Sequence, residues 1–274
     1  NLSDYQPSYL ESGEGGIGVS ATYQLHNSRL LLGATVPVRE DTGQTIGSRK
    51  TIVSSLEYGD PSVQSVTLMA GLSEDKDNLL GSTGANAFSL SGAKATTVFT
   101  ALKAQKQLLD NFSLTGMATL ANTNMSSPSN SFVDSASDVK SSSVALIANI
   151  RNLTDDDYLS LFVNQPNRVD DGSMAIKIAS LADSNRNISQ TIKHIDLESS
   201  SRQLNYGFSY RKDLNEDLAF SVKHMITNNL NHRQDSNTLH SSYIGMNYKD
   251  IKFGFATNPA DSSLETELSY AITL

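Results

Sequence analysis

Leu204-Asn205-Tyr206-Gly207-Phe208-Ser209-Tyr210-Arg211 alternates large apolar residues with small or polar ones without a break. Successive side chains of a strand project to opposite faces, so the run makes a strand with one apolar and one polar face. The same period of two recurs along the chain. Ile17, Val19, Ala21, Tyr23 and Leu25 alternate with Gly18, Ser20, Thr22 and Gln24; Leu218, Phe220 and Val222 with Ala219, Ser221 and Lys223; Ile251, Phe253 and Phe255 with Lys252, Gly254 and Ala256. The segments between such runs carry turn chemistry: Gly59-Asp60-Pro61, Thr154-Asp155-Asp156-Asp157 and Asp213-Leu214-Asn215-Glu216-Asp217. Asn, Asp and Gly tolerate the left-handed backbone of tight hairpins.

Candidate strands fall near 16–26, 29–38, 49–59, 62–72, 94–107, 112–124, 139–152, 157–165, 172–181, 188–199, 203–212, 217–227, 237–248, 251–257 and 264–274. Allowing for mergers and false candidates, they amount to about 12 strands, at most about 14. Short turns alternate with longer Ser/Asn/Asp-rich loops at 73–92, 122–139 and 228–238. That rhythm suits a barrel with one plain rim and one elaborate rim. Residues 101–110 have helix propensity, but the segment is brief and lies between strand patterns.

Composition narrows the class. With 38% apolar residues, the chain has no run near the roughly 18 that a spanning helix requires. Crossing by strands stays open, because only alternate residues then face lipid. There is no cysteine, which removes disulfides, thiolate metal sites and thiol nucleophiles. A net charge of −8 argues against a nucleic-acid partner. Asn1-Leu2-Ser3-Asp4 lacks an initiator Met and the basic and apolar regions of a leader, so residues 1–15 are expected to link the domain to something upstream. Residues 16–274 are expected to form one domain.

Many consecutive antiparallel strands leave two open edges unless the sheet closes. In lipid closure is obligatory, because unpaired backbone groups there cost several kcal/mol each. The polar faces are rich in Gly, Ser, Thr, Asn, Lys and Arg, which suits a wet lumen. The expectation is therefore a closed antiparallel transmembrane β-barrel in a bacterial outer membrane, with lipid around it and the chain a monomer. The absence of Trp and the 7% share of aromatics leave thin girdles at best. A soluble β-sandwich, secreted or periplasmic, is the alternative fold.

Glu267-Leu268-Ser269-Tyr270-Ala271-Ile272-Thr273-Leu274 places Leu268, Tyr270, Ile272 and Leu274 on one face up to the last residue. It resembles the closing-strand signal that outer-membrane barrels present to their insertion machinery, although that signal favours a terminal Phe or Trp. Two further segments resemble the C-terminal region of alphaproteobacterial subtilisin-like proteases of the autotransporter kind. One contains Glu74, then Leu79-Leu80-Gly81-Ser82 and Gly84-Ala85-Asn86-Ala87-Phe88. The other is Leu161 to Val169, with Gln165, Pro166 and Arg168, followed by Gly172. The similarity covers roughly residues 60–274. It implies an N-terminal protease passenger upstream and a C-terminal domain that anchors or exports it. Alternatives are a soluble accessory β-sandwich of a secreted protease and a small porin or adhesin barrel. Pro166 is expected at a strand end, edge or bulge, and Arg168 opposite a carboxylate such as Asp170 or Glu74.

No complete catalytic set is legible, so the chain itself is not read as an enzyme. Asp41-Thr42-Gly43 and Gly172-Ser173-Met174-Ala175 resemble fragments of subtilase motifs, but none of His26, His194, His224, His232 and His240 lies between Asp41 and Ser173. The triad needs a His between the two roles it links, and the subtilase order is Asp, His, Ser. Asp41-Thr42-Gly43 is also one half-site where an aspartic protease needs two. His224, His232 and His240 are evenly spaced but have no neighbouring carboxylate pair, and Asp155-Asp156-Asp157 lacks the ligand spacing of a calcium loop. No metal or cofactor is expected.

Overall fold

The fold is known from a computed structural model, which describes residues 16–37, 49–80, 84–129, 131–182, 188–249, 251–257 and 264–270. The strands are β1 (Gly16–Leu25), β2 (Ser28–Pro37), β3 (Arg49–Asp60), β4 (Gln64–Lys76), β5 (Lys94–Leu109), β6 (Phe112–Met125), β7 (Val133–Arg151), β8 (Asp157–Ala182), β9 (Ile188–Asp196), β10 (Leu204–Asn215), β11 (Leu218–Asn228), β12 (Leu239–Tyr248), β13 (Ile251–Thr257) and β14 (Leu264–Tyr270). They form one 14-stranded antiparallel sheet in sequence order, except that β8 pairs with β10 and β9 pairs with β8 alone among the described residues.

Fourteen strands correct the expected twelve. Of the candidates, only 157–165 and 172–181 merge, into the 26-residue β8. They join across Pro166 because the ladder with β7 shifts there: Val144 faces Gln165, while Ser142 faces Arg168. Two residues on β8 thus oppose one on β7, and the missing N–H of Pro166 falls inside a bulge where no partner waits for it. Strands also run deeper into the expected loops, β4 to Lys76 and β7 from Val133. Residues 101–109 complete β5 instead of coiling, since Leu102 and Ala104 continue the outward row of their neighbours, and Asp110 opens the turn.

The described residues form a single sheet, not two stacked ones, and their only helical pieces are three-residue 3-10 turns at Asn86–Phe88 and Leu230–His232. Yet the two faces differ in burial. On β5, Ala95, Thr97, Phe99 and Ala101 are buried, while Thr96, Val98, Thr100 and Leu102 are exposed. A sheet without a second layer buries one face only by curling around it. Phe99 fills the concave side by lying on Gly71, where an added Cβ would sit 2.5 Å from its Cζ.

The connections sort by rim. Among the described residues, those at 26–27, 61–63, 110–111, 152–156 and 216–217 are tight and lie at one rim. The described parts of the longer ones, at 77–80, 84–93, 126–129, 131–132 and 229–238, lie at the other. The tightest are locked by their own side chains: the Asp60 carboxylate accepts from the N–H and hydroxyl of Ser62 at 2.8 and 2.7 Å.

Candidate functional site

The convex face is the first candidate. Its rows run Ile52, Leu56 and Tyr58 on β3, Val66, Leu68 and Leu72 on β4, Val98 and Leu102 on β5, Val144 and Leu146 on β7, Leu161 and Val163 on β8, Ile244 and Met246 on β12, and Phe253 and Phe255 on β13; all are exposed. The concave face buries Thr51, Ser65, Ser73, Thr97, Thr115, Thr119, Thr123, Ser141, Ser143, Asn149 and Ser160. A water-soluble fold places these two classes the other way round. The apolar rows have limits. On β5 the outward charges are Lys94 and Lys106, which leaves residues 95–105 between them. On β4 the outward polar residues nearest the middle are Gln64 and Glu74, which leaves 65–73. Both intervals match the roughly 9–11 residues of a strand crossing a bilayer at a tilt. Outward aromatics gather near the tight-turn rim, with Tyr58, Phe112, Tyr210 and Tyr248 within a few residues of their turns.

The concave face mixes its polar residues with Met69, Phe99, Met117 and Ile147 and is partly open. Arg29 pairs with Glu57 at 2.6 Å, beside a cleft of about 570 Å³ that Ser55, Thr67, Met69 and Lys103 also line. Arg49 pairs with Asp75 at 2.8 Å near the long-loop rim. The Thr97 and Thr123 hydroxyls meet at 2.8 Å, so each satisfies the other away from water.

Gln165, Pro166, Arg168 and Gly172 belong to a polar clasp. Above Asn164, β8 leaves its ladder with β10 and continues beside the segment 197–203. Backbone bonds from Leu197 N–H to the Gly172 carbonyl and from Ser199 N–H to the Val169 carbonyl, each 3.0 Å, hold that segment. Arg168, only 8% exposed, supplies what the ladder lacks. Its guanidinium donates to the Ser199 carbonyl at 2.9 Å and the Ser201 carbonyl at 3.0 Å, and it pairs with Asp170 and, at 3.5 Å, with Glu198. Arg202 donates to the Gln165 side chain at 2.8 Å. Gly172 has φ +141°, and a Cβ there would approach Val139 Cα to 2.7 Å.

The remaining expected positions scatter. Glu74 lies on the convex face, paired with Lys94 at 2.6 Å, so Arg168 takes Asp170 and not Glu74. Phe88 packs edge-on to Phe132, ring centroids 6.1 Å apart. Leu268 and Tyr270 pair with Phe253 and Ile251; Gly81, Ile272, Leu274, Asp41-Thr42-Gly43 and the segment 1–15 lie outside the described residues. Ser173 sits mid-strand between Ser137 and Asp196. The evenly spaced histidines part: His224 and His240 stay on the convex face, ring centroids 5.8 Å apart, while His232 is buried in the clasp. Asp157 is a turn lock, accepting from Leu153 N–H at 2.7 Å, Thr154 N–H at 3.1 Å and the Thr154 hydroxyl at 2.7 Å. Sequence reasoning missed His232 in the clasp, because its partners Gln203 and Asn167 lie 29 and 65 residues away and no local signal ties them together.

No protein-family model and no curated protein matches the sequence. Among solved structures, the Pseudomonas putida toluene transporter TodX is similar at 13% identity and a TM-score of 0.44, over 88% of this chain and 76% of that one.

Proposed function

We propose that the chain is the membrane-embedded domain of an outer-membrane protein, its sheet closed between β1 and β14 and its convex face in lipid. One observation carries this reading: the exposed face is the apolar one, over a height that fits a bilayer. Burying such a belt in lipid removes a large apolar area from water, which a soluble monomer would leave exposed. The tight-turn rim faces the periplasm and the long-loop rim faces outward, the usual disposition of such barrels. Fourteen strands enclose more than the side-chain-filled interior of about eight. The concave face, lined by Thr, Ser, Arg29–Glu57 and Lys103, accommodates a hydrated or extended segment.

The particular role we favour is translocator or anchor for an N-terminal passenger, a subtilisin-like protease. Its support is the sequence resemblance at Glu74 to Phe88 and Leu161 to Gly172. The covalent chemistry then belongs to the passenger, and this chain contributes the pore and the attachment. The test has two arms. Purified protein should require detergent and run at a different apparent mass on gels before and after boiling. A monomer that stays in solution without detergent overturns the membrane reading; a precursor with no protease ahead of residue 1 overturns only the passenger.

A further inference from the structure

The convex face changes character just above the belt at the long-loop rim. In register across β3, β4 and β5, the row Ile52–Leu72–Val98 is apolar, and the next row is Lys50–Glu74–Thr96. One step higher Lys76 stands directly opposite Lys94. Lys94 reaches down to Glu74 at 2.6 Å, and both Lys50 and Lys76 act electrostatically on the same carboxylate. Three ammonium groups therefore surround one carboxylate, on a chain whose net charge is −8. Like charges directly opposite on neighbouring strands repel. Glu74 pairs with Lys94 and offsets one of the three charges, which leaves a surplus of two positive charges in the cluster, with Lys76 still directly opposite Lys94.

We propose that Lys50, Lys76 and Lys94 form a binding site for the phosphate-bearing headgroup of an outer-leaflet lipid, whose acyl chains lie on Ile52, Leu72 and Val98 below. This rests on the reading of the convex face as lipid-facing. Long lysine stems lie along apolar surface while their ammonium groups reach the interface, so the side chains fit the position as well as the charge. A phosphate placed between Lys76 and Lys94 converts their repulsion into attraction from both sides, and basic residues next to a membrane surface bind anionic lipid additively. The apolar row makes a lipid the occupant, since a free phosphate would gain nothing from it.

The test is native mass spectrometry of the detergent-purified protein with diphosphorylated lipid A, with phosphatidylcholine and with inorganic phosphate as probes. The wild type should retain lipid A, and the triple variant Lys50→Gln/Lys76→Gln/Lys94→Gln should retain it on the order of tenfold less or weaker still. Lys106→Gln at the opposite end of β5 should leave retention unchanged. Lys50→Arg/Lys76→Arg/Lys94→Arg preserves the charge and should preserve binding, which guards against loss through misfolding. Equal retention by the triple Gln variant, equal retention of phosphatidylcholine, or displacement of lipid A by inorganic phosphate overturns the proposal. Gel heat-modifiability on the same samples reports separately on the membrane reading, so the two failures are distinguishable.

Discussion

Gln203 donates its backbone N–H to Nδ1 of His232 at 2.9 Å, and Nε2 of the same ring faces the Asn167 carbonyl at 2.9 Å. A backbone N–H only donates and a carbonyl only accepts, so the ring is neutral with its proton on Nε2. Burial lowers the His232 pKa from 6.5; Arg168 and Arg202 push the same way, against the Asn167 carbonyl and Asp170, while Glu198 stands across Arg168. A lowered histidine pKa means the unfolded chain binds more protons between the folded value and 6.5. The stabilisation is therefore complete above 6.5 and is lost as pH falls through the folded pKa. The protection factor of the Gln203 amide, its exchange rate relative to that of an unstructured chain at the same pH, should be high at pH 8 and fall as pH drops below 6.5. His232→Gln should flatten that dependence; an equally pH-dependent protection in the variant would refute the role of the ring.

Arg168 closes the gap that Pro166 opens in the β8 ladder, and its geometry calls for a guanidinium. One planar fork reaches the Ser199 and Ser201 carbonyls while keeping Asp170. Arg168→Ala strands two carbonyls and a carboxylate at a half-buried site and should cost about 1–3 kcal/mol in denaturant titrations of the micelle-bound protein. Arg168→Lys offers a single ammonium and should recover less than half of that loss. A Lys variant that matches the wild type would show that charge alone suffices.

Much of this fold was legible because strand period is a local property. Ile251 to Phe255 reads as a strand wherever it sits, and β13 occupies the residues the alternation indicated. The strand count was set too low because more candidates were expected to merge or fail than did, and the one merger that occurs, in β8, is where a local rule met a tertiary solution. Pro166 breaks a ladder in isolation, but the bulge and the side chains of Arg168 and His232 take up the backbone groups it leaves. Those partners lie 33 and 65 residues away along the chain, at Ser201 and His232. No window of sequence contains both ends of such a bond. The direction in which the apolar stripes point was likewise beyond the sequence, because alternation describes a sandwich core and a lipid belt equally well.

The proposed lipid belt predicts a sharp asymmetry between faces. Leu102 projects outward near the middle of the β5 interval, whereas Ser55 projects into the polar cleft beside Glu57. Leu102→Arg should destabilise folding into bilayers by about 2–4 kcal/mol, the cost of a cation near the midplane. Ser55→Arg should cost less than about 1 kcal/mol, since Glu57 is within reach and the proposed barrel has a wet interior. Refolding into phospholipid vesicles, followed by the heat-modifiable band, measures both. Equal penalties would place the two residues in the same environment and refute the assignment of faces.

Tyr243 lies on the concave face along β12, over two glycines. A Cβ on Gly254 would approach its ring to 2.7 Å, and one on Gly245 would meet the same ring. Lys223 sits 5.9 Å from the ring centroid on the neighbouring strand. A ring laid over glycines recovers packing that glycine alone cannot give to a strand, and it pins the β12–β13 register. Gly254→Val should therefore evict the ring and destabilise by about 1–3 kcal/mol, as overpacking does. Adding Tyr243→Ala to that variant removes the clash, so the double variant should be more stable than the two single losses sum to. Strict additivity would mean that ring and glycine do not touch. Tyr243→Phe separates packing from hydrogen bonding: the hydroxyl is buried with no partner among the described residues, so its removal should leave stability unchanged or raise it.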